Sequence, residues 1–247
     1  MIGLVGIVLI FVMVFGGYIA AGGKLGIILK AMPFELAMIG GAAIGAFLIS
    51  NDLSSIKHAI KDVGKVFKGP KWTHEDYKDL LCLLFELIRQ ARQNAVALEE
   101  HIENPSESTI FSRYPKILED AEAVNLICDT LRSASMNYDD PHQVEEMLGK
   151  RIEEHANAQS HSGHALQNVA DALPALGIVA AVLGVIKTMA SIDQPPEVLG
   201  GLIGGALVGT FLGVFLAYGI VGPFSAKVTA ATETEEKFYS VVRDILV

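Results

Sequence analysis

The sequence predicts an all-α membrane protein with four transmembrane helices and a large helical cytoplasmic domain between the second and third. Three observations predict it. Four apolar runs stand in two pairs along the 247 residues, and a charge-rich stretch of about 120 residues separates the pairs. The third is composition: 51% hydrophobic residues and a mean hydropathy of +0.41 are too apolar for an ordinary soluble domain, while 19% charged residues are too many for a chain lying wholly in lipid. The predicted domains are a transmembrane hairpin at 1–50, a cytoplasmic helical domain at 51–170, a second hairpin at 171–223 and a cytoplasmic tail at 224–247.

The first run, IGLVGIVLIFVMVFGGYIAA at 2–21, carries no charge and is long enough at 1.5 Å per residue to cross a ~30 Å hydrocarbon core. No basic region precedes it and another apolar run soon follows, which argues against a cleaved signal sequence. The second run, FELAMIGGAAIGAFLIS at 34–50, begins with Glu35 at its entrance. Beyond it, Leu53, Ile56, Ile60, Val63 and Phe67 recur at helical spacing, with Lys57, Lys61, Lys65 and Lys68 on the remaining face. That pattern predicts an amphipathic helix over 52–68 lying against anionic lipid. Thr73, with Asp76 three residues on, marks the start of one long helix that runs ~45 Å to the Asn104-Pro105 turn. Further helices are predicted over 115–136 and 141–157.

The third run is LPALGIVAAVLGVIKTMA at 173–190, and the fourth is VLGGLIGGALVGTFLGVFLAYGIV at 198–221. In the fourth, Gly201, Gly205, Gly209 and Gly213 repeat every four residues and so share one helix face, a small-residue stripe that permits close packing in lipid. Basic residues set the orientation. They follow the second run, precede the third and follow the fourth at Lys227, whereas the loop between the third and fourth holds only Asp193 and Glu197. Both termini and the large domain are therefore expected in the cytoplasm, although Lys24 and Lys30 in the first loop run against that orientation.

Several functions are excluded. A formal net charge of −9 with no basic patch excludes nucleic-acid binding. No phosphate loop, GxSxG or HExxH motif is present, so no enzyme activity is expected. Cys82 and Cys128 lack CxxC spacing and have apolar neighbours, reading as reduced core thiols. His155, His161 and His164 lie at offsets that miss a common helix face, in a polar stretch read as a solvated linker rather than a metal site. The charges Arg89, Arg92, Glu99, Glu100 and Glu103 form either a plain solvated face or a docking surface for a soluble partner.

Ion transport through lipid needs an ionisable group at depth. On this reading none exists: Glu35 and Asp171 lie at the ends of their spans, Lys187 lies near an outer end, and the deep polar groups are hydroxyls, chiefly Thr210. A hydroxyl can hand on a proton but has no pKa with which to hold one. A partner chain would have to lend the carboxylate. Pro174 and Pro223 flank the second hairpin, either as ordinary helix punctuation, with Pro174 in a first turn, or as a pair of hinges.

The order of segments, with ENPSES at 103–108, DALPALGIVAAVLGV at 171–185 and ALVGTFLGVFLAYGIVGP at 206–223, resembles the MotA family of flagellar stator proteins over essentially the whole chain. More distantly it is similar to the ExbB and TolQ energisers, which makes coupling of proton flow to outer-membrane processes the alternative function. The resemblance implies a homopentameric ring in the bacterial inner membrane around a MotB dimer that brings the titrating aspartate. Thr210 and Ala181 would line the ion path, Pro174 and Pro223 would couple passage to movement, and Asp171 would mark the cytoplasmic exit. Sodium-driven relatives carry threonines where this chain has Ala181 and Gly209, so the transported ion expected here is the proton, with no bound cofactor. For the rotor protein FliG, Glu99 takes the family's glutamate position; the arginine position is Ala91, leaving Arg92 and Arg89 beside it.

Overall fold

In the computed structural model, which describes residues 2–64, 71–136 and 141–246, four helices are long and apolar enough to cross a membrane: Gly3–Ala20, Leu25–Ser50, Glu145–Met189 and Pro196–Leu246. The first is built from α1 (Ile2–Phe11), a widened π-type turn at Val12–Gly16 and α2 (Gly17–Ala20). It ends in a Schellman cap. Gly22 takes a φ of 84°, its N–H donates to the Ile19 carbonyl, and the Gly23 N–H donates to that of Tyr18.

The second span, α3 (Leu25–Ser50), starts with Leu25 rather than Phe34. Lys30, expected in the first loop, and Pro33 both lie inside it. The apolar run Leu25–Leu29 is already helical, and a proline in a membrane helix is tolerated when neighbours satisfy the freed carbonyl. Glu35 is consequently not at an entrance but well inside α3. α4 (Leu53–Val63) follows; the remainder of the predicted amphipathic helix, with Lys65, Phe67 and Lys68, lies outside the described residues.

The helix predicted from Thr73 to Asn104 is two helices, α5 (His74–Gln93) and α6 (Ala95–Glu103). Asn94 breaks it. Its backbone is extended, at φ −156° and ψ 99°, and its side-chain oxygen accepts from the N–H groups of Val96 and Ala97 at 3.2 and 3.4 Å, capping α6. The 115–136 helix is likewise divided into α7 (Pro115–Leu118) and α8 (Ala121–Met136), where Asp120 accepts from Ala123 N–H at 2.8 Å. The opposite happens at 141–190: α9 (Pro141–Met189) is continuous, so the histidine-bearing stretch read as a linker is helical and Pro174 stands mid-helix, not in a first turn. α10 (Pro196–Leu216) passes through a second π-type turn at Ala217–Val221 into α11 (Gly222–Leu246), which places Pro223 in the first turn of α11.

Two compact units result, Met1–Gly69 with Ser160–Ala230 and Pro70–Gln159 with Ala231–Val247. The first is held by an apolar cluster that includes Ile39 and Ala43 of α3, Leu173 and Ala180 of α9, and Val208 and Leu212 of α10. Four rings fasten the first span to the fourth: Phe11 lies 5.2 Å edge-on to Phe215, and Phe15 lies 5.9 Å from Phe211. The second unit packs Leu80, Leu83, Leu84 and Leu87 of α5 with Leu98, Ile102, Ile127, Leu148 and Ile152. The segment read as a tail also enters this core, through Phe238, Tyr239 and Val242 of α11. Trp72 stacks on Phe238 at 3.8 Å between centroids, beneath the ammonium groups of Lys71 and Lys116.

Candidate functional site

The small residues of the third and fourth spans meet where a side chain would not fit. A Cβ built on Gly213 would stand 2.6 Å from the Leu173 carbonyl oxygen and 2.9 Å from the Gly177 Cα; one on Gly177 would stand 2.9 Å from the Gly209 carbonyl oxygen and 3.4 Å from the Thr210 Cα. At Gly184 it would meet Ala206 Cβ at 2.6 Å. Backbone lies on backbone along this line, the form of packing that dispersion favours in lipid. The four glycines of the stripe are not equivalent, however. Gly209 and Gly213 are buried in the crossing, Gly205 has only Ala31 Cβ near it at 3.8 Å, and Gly201 faces open space.

Thr210, whose Cα flanks this crossing, is half-buried, as is Ala181 one helical turn beyond Gly177. Asp171 is exposed and accepts from Gln167 Nε2 at 2.8 Å. A second polar contact, absent from the sequence reading, joins the helices below: Ser225 Oγ donates to the Gly163 carbonyl at 2.9 Å.

The largest correction concerns acidity. Glu35 is 6% exposed, ten residues into a 26-residue span, with Oε2 buried and unpartnered. It abuts the fourth span so closely that a Cβ on Gly209 would lie 2.5 Å from that oxygen. A buried acid therefore exists in the membrane part of this chain. The apolar run Leu25–Leu29 was the signal that could have revealed it, because extending the helix backward places Glu35 at depth.

In the second unit, Arg89 and Arg92 of α5 and Glu99 and Glu100 of α6 are exposed, and no ion pair engages them among the described residues. Glu103 is different: Arg132 donates to it at 2.8 Å. The kink at Asn94 separates the arginines from the glutamates onto two helices. Cys82 is exposed, contrary to the core reading, because α5 presents Leu81, Cys82 and Phe85 outward and Leu83, Leu84 and Leu87 inward. Cys128 is buried, and burial pushes its thiol up to about 12 against a smaller opposing pull from Arg132, leaving it unreactive. The His155 ring packs edge-on to Tyr239 at 5.3 Å, while His161 and His164 are exposed.

The fold of the whole chain is shared with two solved structures. The C. jejuni MotAB structure aligns with a TM-score of 0.77 at 20% identity over 99% of this chain and 87% of that one. The flagellar MotAB stator complex of Bacillus subtilis aligns at 0.75 and 24% identity over 98% and 88%. The family described as motility protein A N-terminal matches residues 4–95, and the MotA/TolQ/ExbB proton channel family matches residues 119–240. The motility protein A of Salmonella typhimurium is 40% identical over 244 residues, which cover 97% of this chain and 81% of that protein.

Proposed function

This chain belongs to the motility protein A branch of the MotA/TolQ/ExbB proton channel family, and on that premise we propose that it is a flagellar stator subunit that conducts protons with a MotB partner and converts their passage into torque. It is a multi-pass inner-membrane protein. The observation that carries the reading is the 40% identity to a motility protein A, which runs through both transmembrane pairs and the domain between them. The N-terminal family match at 4–95 separates it from the energiser alternative.

In this reading five copies ring a MotB dimer in the lipid, with termini and second unit in the cytoplasm. The third and fourth spans face the dimer, and Thr210 solvates the proton on its way to and from the partner's carboxyl. Ala181 and Gly209 offer no oxygen to a hard cation, which favours the proton over sodium. Pro174, which deprives its helix of one donor, and Pro223, just after the π-type turn, are the coupling points. Asp171 stands at the exit. Arg89, Arg92 and Glu99 meet opposite charges on FliG, pairs that salt would screen.

The test is Thr210→Ala in the complex with its partner. Proton flux into sealed vesicles and swimming should both fall while assembly persists; wild-type flux from the variant would remove Thr210 from the path.

A further inference from the structure

Glu35 has no part in the reading above, which assigns titration to the partner chain. Yet its surroundings are those of a site. Among the described residues no cation pairs with it and no hydrogen bond reaches it, and Oε2 is sealed from solvent. The apolar cluster that α3, α9 and α10 build in this unit includes Ile39, Ala180, Val208 and Leu212. Opposite the carboxyl stands Gly209, whose missing side chain leaves the room that Oε2 occupies; a Cβ there would also touch Ala180 at 3.2 Å. Thr210 is the next residue along α10.

An unpaired carboxylate in such a place is strongly disfavoured, because desolvation of the charge is offset by no ion pair or hydrogen bond among the described residues. The neutral acid is the form the packing accommodates. We propose that Glu35 is an intramembrane proton-binding site of this chain itself, loaded while α3 packs against Gly209 and exchanging its proton with the ion path when the α9 and α10 pair shifts. The inference rests on the ion-conducting reading and adds to it a titratable group that the partner does not supply. The step is a proton transfer alone: the acid O–H bond breaks, its electron pair stays on the carboxylate oxygen, and water in the path accepts the proton and returns one on reloading.

The experiment is infrared difference spectroscopy on the purified complex with its partner chain, wild type against Glu35→Gln, in ordinary and heavy water. The carbonyl stretch of a protonated carboxylic acid should lose one deuterium-sensitive component in the variant, while the partner's carboxyl contributes alike to both and cancels. Proton flux into vesicles should fall in Glu35→Gln and recover in Glu35→Asp. Identical spectra would overturn the proton site, and wild-type flux alongside a lost component would overturn its exchange with the path. If Glu35→Gln fails to assemble, Glu35→Asp decides, since its acid sits in a different field and the component should move; an unmoved component counts against the proposal. A wild-type complex that passes no protons would strike the conducting reading instead, and the infrared result would still report the state of Glu35.

Discussion

At the scale of single residues, the glycines of the fourth span separate what spacing implies from what contact requires. A four-residue repeat puts Gly201, Gly205, Gly209 and Gly213 on one face, but a side chain at Gly213 would meet backbone, one at Gly209 would meet the Glu35 carboxyl and Ala180 Cβ, and one at Gly201 would meet open space. Gly213→Ala should therefore destabilise the assembled protein by roughly 1–3 kcal/mol, since its Cβ would press on the Leu173 carbonyl and Gly177 Cα, neither of which can swing aside. Gly201→Ala should change stability by less than about 0.5 kcal/mol. Thermal unfolding of the two detergent-solubilised variants would compare them, and equal losses would contradict the packing described. Glu35 is the residue the sequence placed wrongly. A charged residue at the edge of an apolar window looks like a boundary, and only the neighbouring helices reveal whether the backbone continues past it.

Among the elements, helix starts were more legible than helix lengths. The Thr73 and Asp76 pattern marked the start of α5, where one Asp76 oxygen accepts from Thr73 N–H at 2.6 Å and from Thr73 Oγ1 at 2.7 Å, and Lys116 closes on the same oxygen. Burial alone would push the Asp76 carboxyl up, but the Lys116 hydrogen bond and the two from Thr73 together hold it below the usual carboxylate range. The stability it contributes is thus fully present above the ordinary carboxylate value of about 4 and is lost as pH falls through the lowered one. Hydrogen exchange in the first turn of α5 should accordingly lose protection on acidification in the wild type, whereas Asp76→Asn should be less protected at neutral pH and flat across that window. A variant as protected as wild type at neutral pH would contradict the role assigned to the carboxylate. The break at Asn94 was not legible, because its neighbours Gln93 and Ala95 are ordinary helix formers and a lone asparagine between them marks a cap only once the backbone around it is extended. Leu87, Leu98 and Ile102, all core residues, also keep the spacing of one uninterrupted helix face, so periodicity alone carries no mark of the break. Pro174 erred in the opposite direction: proline reads as a helix start, yet it is carried inside α9.

For the whole molecule, the proposed choice of ion gives a prediction that does not depend on any one contact. Replacing external sodium with potassium should leave swimming speed unchanged, and a strong sodium dependence would defeat the proton assignment. The sequence by itself determined the class and the segment order: apolar length reports membrane spans because backbone polar groups in lipid must be satisfied within each helix, and charge density reports the region that needs water. Tertiary structure alone decided which of those residues touch. The stretch after the fourth span joins the second unit because Phe238, Tyr239 and Val242 have a core to fill, and Glu35 is buried because Gly209 leaves space opposite it. Periodicity is a property of one helix, whereas burial is a property of its neighbours, and no single run of residues carries the second.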